Sequence, residues 1–70
     1  MEPSPTIERR TRERIAVRAV NWAVSEFGCG MESGELAIRY AILEILKIRG
    51  TVEDCALVVQ DVIRHWVAMK

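Results

Sequence analysis

Two cysteines and one histidine are the side chains best suited to metal binding in this chain of 70 residues. Cys29, Cys55 and His65 could share a metal ion only if the fold brought them together, because structural zinc sites normally show pairs of ligands close in sequence. The cysteines lack C-x-x-C spacing, and there is no second histidine. We therefore expect no metal site, and no cofactor motif stands out.

Catalysis by side chains finds equally little support. Asp61 and His65 are spaced as neighbours on one face of a helix, but no nucleophile or pocket accompanies them. Cys29 lies in a Gly-Cys-Gly connector before a predicted helix, where thiols can become reactive, whereas Cys55 lies among apolar residues and is interpreted as a small core residue. We expect the protein not to be an enzyme.

The densest group of charged side chains lies in the stretch IERRTRERIAVRAVNWA, from Ile7 to Ala23. Its first half is rich in arginine, with Arg9 and Glu13 spaced for an ion pair on a helix, as are Glu8 and Arg12. Its second half is apolar except for a narrow polar stripe of Arg14, Arg18, Asn21 and Ser25. We interpret the first half as a helix end that contacts a partner or water. The candidate contact residues are Arg9, Arg10, Arg12, Glu13, Arg14 and Arg18.

Part of this stretch, RTRERIAVRAVNW, resembles the arginine-rich RNA-hairpin-binding helix of the lambdoid antitermination N proteins. The matching positions are Arg10, Arg12, Glu13, Arg14, Ala16, Arg18 and Trp22. The resemblance implies arginines that contact phosphates and a tryptophan that stacks on a base. Thr11, Ile15 and Val17 stand where that family has charged residues. Trp22 also falls on the apolar side of the predicted helix, so a packed Trp22 is the competing interpretation.

The overall charge favours a protein partner over nucleic acid. Ten basic and ten acidic side chains cancel, whereas domains that bind nucleic acid through counterion release are normally basic. The start MEPSPTIERR lacks the apolar region of a secretory signal, and charges interrupt the longest apolar tract. Two cysteines are too few for a disulfide framework. We expect a cytoplasmic protein without a membrane span.

Glycine, proline and capping residues divide the chain into three predicted helices and no strand. Helix A is predicted at about 6–27, helix B at about 34–49 and helix C at about 52–69. Residues 1–5 are predicted to be a flexible N-terminus, and 6–70 a single domain. The predicted fold class is all-α, a small three-helix domain.

The predicted helix ends rest on a few residues. Ser4 or Thr6 can cap helix A, and Gly28 can end it in the left-handed conformation. Ser33 can cap helix B. Thr51 and Asp54 form a T-x-x-D pattern, typical of a capping box, at the start of helix C.

Helix B predicts self-association, because its apolar residues point in almost every direction. A helix that is apolar all round is buried all round, and two neighbouring helices do not easily cover it. We therefore expect a packed or intertwined homodimer. The candidate interface residues are Leu36, Ile38, Ile42, Ile45 and Leu46.

Helix C is predicted to bury one half and expose the other. Its apolar residues are assigned to the core, while Asp54 and Asp61 are assigned to the solvated half. Leu57 lies among those polar residues and is a further candidate for contact with a partner.

These observations favour a small regulatory or inhibitor protein that acts by binding another protein. Its size and compactness are typical of reading frames carried by phages and mobile elements. The alternative is a nucleic-acid-binding regulator, for RNA or DNA, that uses the arginine-rich start of helix A.

Overall fold

Three helices make up the part of the chain that the structure describes. A computed structural model describes residues 5–69. Helix α1 spans Arg9–Phe27, α2 spans Met31–Lys47 and α3 spans Val52–Met69, and each helix packs against the other two. No strand occurs in this range. The predicted all-α, three-helix fold is confirmed, while the predicted flexible N-terminus lies, apart from Pro5, outside the described residues.

The core is built mainly from small side chains. Among residues 5–69, nine apolar side chains are buried, and five of these are alanines. The nine are Ala16, Ala19, Val20, Ala23, Ala37, Ala41, Ile45, Val58 and Val62. Small residues at helix contacts allow close approach of the helix axes, but each removes little apolar area from water. Much of the hydrophobic stabilisation must therefore come from larger side chains at the edge of this core.

The first helix begins at Arg9, later than the predicted start at about residue 6. The backbone N–H groups of Thr6 and Ile7 donate hydrogen bonds of 3.1 to 3.2 Å to the Asp54 carboxylate, so this segment is held against α3. Glu8 precedes the helix with an extended backbone and makes no side-chain capping bond. The predicted cap at Thr6 is therefore wrong, and the alternative cap at Ser4 lies outside the described residues.

The second helix begins at Met31, earlier than predicted, and Ser33 is not its cap. Ser33 lies buried in the first turn, where its hydroxyl donates to the Gly30 carbonyl at 2.7 Å and accepts from Trp66 Nε1 at 3.0 Å. Gly28 ends α1 at a positive φ of 82°, and its N–H donates to the Val24 carbonyl at 2.9 Å. Its ψ of −167° lies outside the left-handed helical region that was expected.

The second helix ends at Lys47, earlier than the predicted end at 49, and a tight turn follows. Arg49 adopts a φ of 59°, which is uncommon for a residue other than glycine. Gly50 is required for space, because a Cβ there would lie 2.5 Å from Ile45 Cγ2 and 2.7 Å from Ile7 Cδ1. The glycine therefore allows Ile7 to pack onto the end of α2.

The third helix begins with the predicted capping pair. The Thr51 N–H donates to Asp54 Oδ2 at 2.8 Å, and the Asp54 N–H donates to Thr51 Oγ1 at 3.1 Å. The assignment of Asp54 and Asp61 to the solvated half of α3 is wrong, since both are buried. Asp61 pairs with Arg64 one turn later and not with His65. Each buried carboxylate thus has a charged or hydrogen-bonded partner, as burial of a charge requires.

Several large apolar side chains face outwards. On α2, Leu43 and Leu46 are more than half exposed, as is Ile48 directly after the helix. On α3, Val52 and Val67 are also more than half exposed, so the assignment of the whole apolar half of this helix to the core is wrong. The apolar sides of α2 and α3 are therefore wider than the surface that the other helices of the same chain cover. Within residues 5–69, no helix is both long enough and apolar enough to cross a membrane.

Candidate functional site

A shallow groove runs along the outer face of α1. It has a volume of about 860 Å³, and one residue of α3 completes its lining. The lining residues are Arg10, Glu13, Arg14, Val17, Arg18, Asn21, Trp22, Ser25 and His65. We call this surface the α1 groove. It includes four of the six charged residues predicted on helix A, namely Arg10, Glu13, Arg14 and Arg18.

Arg10, Arg14 and Arg18 form a row of positive charge in the α1 groove. Their spacing of four residues places successive side chains about 6 Å apart along the helix axis and on one side of it. All three are exposed. Within residues 5–69 the ion pairs join Arg9 to Glu13, Arg12 to Asp54 and Arg64 to Asp61, so none of the three arginines in the row takes part in one. The row therefore presents charge that this part of the chain does not neutralise.

Apolar side chains flank the row of arginines on both sides. Val17 is 38% exposed and Trp22 is 37% exposed, and the two point about 140° apart around the helix. The Trp22 ring stacks on Tyr40, with ring centroids 5.1 Å apart, and meets the Phe27 ring edge-on at 5.6 Å. Trp22 is thus fixed in position by α2 without being fully buried. The arrangement suits a ligand that combines negative charge with apolar groups.

The two other predicted arginines are engaged within the chain. Arg12 donates from Nη1 to the Ile7 carbonyl at 3.1 Å, lies 4.0 Å from Asp54 Oδ1 and is almost fully buried. The predicted pair of Glu8 with Arg12 is therefore absent from the described residues. Arg9 and Glu13 do form the predicted pair, with Nε and Oε1 3.1 Å apart. Arg12 thus serves the fold, whereas Arg9 lies beside the α1 groove with its charge balanced.

A buried carboxylate holds the start of α1 in place. Asp54 accepts hydrogen bonds from the N–H groups of Thr6, Ile7 and Thr51, and from the Thr6 hydroxyl. Burial by itself raises the pKa of the Asp54 carboxyl, but these hydrogen bonds outweigh it and hold the pKa well below its ordinary value of 3.8. Asp54 is therefore ionised at neutral pH. It ties the segment before α1 to the first turn of α3, and thereby positions the arginine-rich helix start.

The residues with the potential for covalent or metal chemistry stay apart. Cys29 is an exposed free thiol in the α1–α2 connector, and Cys55 is a half-buried free thiol packed against the core. His65 is half-buried at the edge of the α1 groove. Among residues 5–69, no three His, Cys, Asp or Glu side chains are grouped so that they could hold a metal ion.

The residues predicted for contact between chains divide into core and surface. Ile45 is fully buried within a single chain and does not reach its surface. Leu57 is half-buried on α3. The remaining candidates are half-buried or exposed, and they are Leu36, Ile38, Ile42 and Leu46.

Part of the α1 groove was visible in the sequence and part was not. The polar stripe that continues from Arg18 to Asn21 and Ser25 indicated the outer face of the helix. Val17 was assigned to the apolar arc, and His65 comes from another helix, so no spacing on helix A points to it. The chain matches no protein-family model, no curated protein and no solved structure.

Proposed function

We propose that this chain is a small, non-enzymatic regulatory or inhibitor protein that binds another protein through the α1 groove and works as a helical homodimer. The observation that carries the binding proposal is the exposed row of Arg10, Arg14 and Arg18 between two partly exposed apolar side chains. Carboxylates bind guanidinium groups through charge-assisted hydrogen bonds, and Val17 and Trp22 offer apolar contact. The fitting partner is an acidic, amphipathic segment of a protein.

The dimensions of the groove suit a short helix. Arg10 and Trp22 are twelve positions apart, which corresponds to about 18 Å along the helix axis. A partner helix of about twelve residues lying alongside would pass all three arginines. Amphipathic helices bind in such grooves through apolar anchors at i, i+3, i+4 and i+7. Charges at the edge of an interface mainly accelerate and orient the encounter.

Three observations favour a protein partner over nucleic acid. The chain has no net positive charge, and Arg12 is withdrawn from the arginine cluster by its contacts with Ile7 and Asp54. In addition, Tyr40 stacks on one face of the Trp22 ring, so that face is not open to a base. The second candidate function, a nucleic-acid-binding regulator, is supported by the same row of arginines, because guanidinium groups also bind phosphates.

Defined probes separate the two candidates. The first probe is a fluorescent helical peptide with Glu and Leu at helical spacing, and the second is a fluorescent RNA hairpin. Anisotropy titrations at two salt concentrations would compare the wild type with Arg14→Gln/Arg18→Gln. The matched control is Arg39→Gln/Lys47→Gln, which removes two exposed charges from α2.

We expect the peptide to bind the wild type and the control, and to bind the Arg14/Arg18 variant about tenfold more weakly, as for two lost exposed ion pairs. Equal binding by both variants would contradict the α1 groove as the site. Tight hairpin binding that weakens steeply with salt would favour the nucleic-acid candidate.

The homodimer is supported by the outward apolar side chains of α2 and α3 and by the alanine-rich core. Sedimentation equilibrium from micromolar to near-millimolar concentration tests it. A well-folded monomer over the whole range would contradict it.

A further inference from the structure

The side of α3 that points away from the core is apolar. Val52, Ala56, Val59, Ile63 and Val67 fall within an arc of about 80° around this helix. Val59 is half-buried, and the other four are exposed. No charged residue of α3 falls within the arc. A solvent-facing helix surface is normally polar, so this arc is an exception that a single chain does not explain.

The second helix extends this face. Met31, Ile38 and Ile42 fall within about 40° of one another on α2, and Met31 is 82% exposed. Between α2 and α3 lies an apolar pocket of about 210 Å³, in which Glu35 is the one charged lining residue. Gly34 faces the Trp66 ring there, and a Cβ at Gly34 would lie 3.3 Å from Trp66 Cε2. We call this combined surface the α2/α3 face.

We infer that two copies of this chain pack together through the α2/α3 face, with the arc on α3 at its centre. The inference rests on the proposed homodimer and names its interface. It differs from the sequence-based expectation, which assigned the interface to the second helix alone. The α1 groove lies mainly on α1, and its one residue from α3, His65, points about 160° away from Ile63, so this packing leaves the groove open to a partner.

The size of the α2/α3 face fits a stable dimer. Helices of 17 and 18 residues are about 25 Å long, and two packed helices are about 20 Å wide. The face therefore covers about 500 Å² in projection, and side-chain relief adds to its accessible area. Stable interfaces bury about 800 Å² of accessible surface on each partner. A second copy of equal size can cover the whole face.

The α2/α3 face can pack on itself in an antiparallel two-fold arrangement. The start of α2 lies beside the end of α3, since Met31 and Val67 line the same pocket. A two-fold axis across the middle of the face would place the start of each α2 helix against the end of the other. Such an isologous contact closes after two copies.

The same axis suits the shapes of the side chains on α3. It would pair Val52 with Val67, and Ala56 with Ile63, across the two copies. The small Ala56 then lies opposite the larger Ile63, which is the arrangement that fills space between packed elements. With no net charge on the chain, the two copies do not repel each other at long range.

Matched substitutions at exposed positions test the interface. Ile63→Glu and Val67→Glu place a charge within the face. Leu43→Glu is the control, since Leu43 is 59% exposed against 57% for Val67 and points about 140° away from Ile38 on α2. Sedimentation equilibrium measures assembly, circular dichroism measures helix content, and the peptide titration described above measures the α1 groove separately.

We expect the wild type and Leu43→Glu to be dimers, and Ile63→Glu and Val67→Glu to be folded monomers whose dimer dissociation constant rises at least a hundredfold. Dimers in all four proteins, or loss of the dimer in Leu43→Glu alone, would overturn the α2/α3 interface while leaving the homodimer standing. A monomeric wild type would overturn both, and peptide binding would still report on the α1 groove.

Discussion

At the scale of single residues, Asp54 connects more of the chain than any other described polar side chain. It caps α3 through Thr51 and holds Thr6 and Ile7 in front of α1. Arg12, which points back from the second turn of α1, completes this contact. Burying an ionised carboxylate without a charged or hydrogen-bonding partner is costly. The hydrogen bonds and the nearby Arg12 guanidinium group therefore explain why Asp54 is buried in its ionised form. The position of the arginine-rich helix start depends on this residue.

The first prediction is that Asp54→Asn destabilises the fold by about 2 to 4 kcal/mol. Asparagine keeps the shape but replaces one acceptor oxygen by an NH₂ group, which leaves buried backbone N–H groups without a partner. Urea unfolding at neutral pH measures the change. Glu53→Gln, at the exposed neighbouring position, is the control and should have little effect.

The low pKa of the Asp54 carboxyl also predicts the direction of the pH dependence. The unfolded chain takes up the proton near the ordinary value of 3.8, while the folded chain takes it up only at lower pH. The stability that Asp54 contributes is therefore fully present above that value and is lost as the pH falls below it. Asp54→Asn should lose this part of the acid dependence. An identical acid profile in both proteins would contradict the assignment.

At the scale of elements, the helices could be predicted from the sequence because apolar periodicity and glycine punctuation are local signals. The Thr51–Asp54 cap was visible for the same reason. The starts of α1 and α2 were not, because Thr6 and Ser33 bind Asp54 and Trp66, which are distant in sequence. Capping preference cannot reveal that a tertiary partner competes for the same hydroxyl.

Exposure was harder to predict than helix position. The apolar residues of α3 were assigned to the core because a surface helix normally buries its apolar side. In the structure the buried side of α3 includes Asp54 and Asp61. The apolar arc centred on Val52 and Ile63 faces solvent instead. The spacing of residues along a helix gives their relative directions, but only the packing of neighbours decides which direction is inward. The α1 groove shows the same limit, since His65 joins it from another helix.

The packing of α1 against α2 gives a further prediction. Trp22→Ala should destabilise the protein by about 1.5 to 3 kcal/mol, which is less than the 3 to 5 kcal/mol typical of a fully buried large aromatic residue, because a third of Trp22 is exposed. The loss comes from its contacts with Tyr40 and Phe27. Trp22→Phe should recover about half of the loss. Thermal melts measure both, and a Trp22→Ala melt equal to that of the wild type would contradict this packing.

At the scale of the whole molecule, the chain separates two kinds of surface. The α1 groove is charged and open, while the α2/α3 face is almost free of charge and rich in large apolar side chains. A short chain buries a smaller fraction of its surface than a larger domain does, and here the buried apolar side chains are mostly alanine. A core that is stable on its own normally buries its large apolar residues, whereas in this chain many large apolar residues are exposed and the buried ones are mostly small. Association through one surface would complete the fold and leave the other for recognition.

The last prediction separates these surfaces by their response to concentration and salt. If the dimer completes the fold, the melting temperature of the wild type should rise with protein concentration, since each tenfold increase adds about 1.4 kcal/mol to the stability of the dimer. The apolar interface should change little between low and moderate salt, whereas peptide binding at the arginine row should weaken as salt screens exposed charges. Melting curves over a range of concentrations and anisotropy titrations at matched salt measure the two responses. A melting temperature that is independent of concentration, with native helix content, would mean that the alanine-rich core is sufficient on its own and that the outward apolar side chains of α2 and α3 have another role.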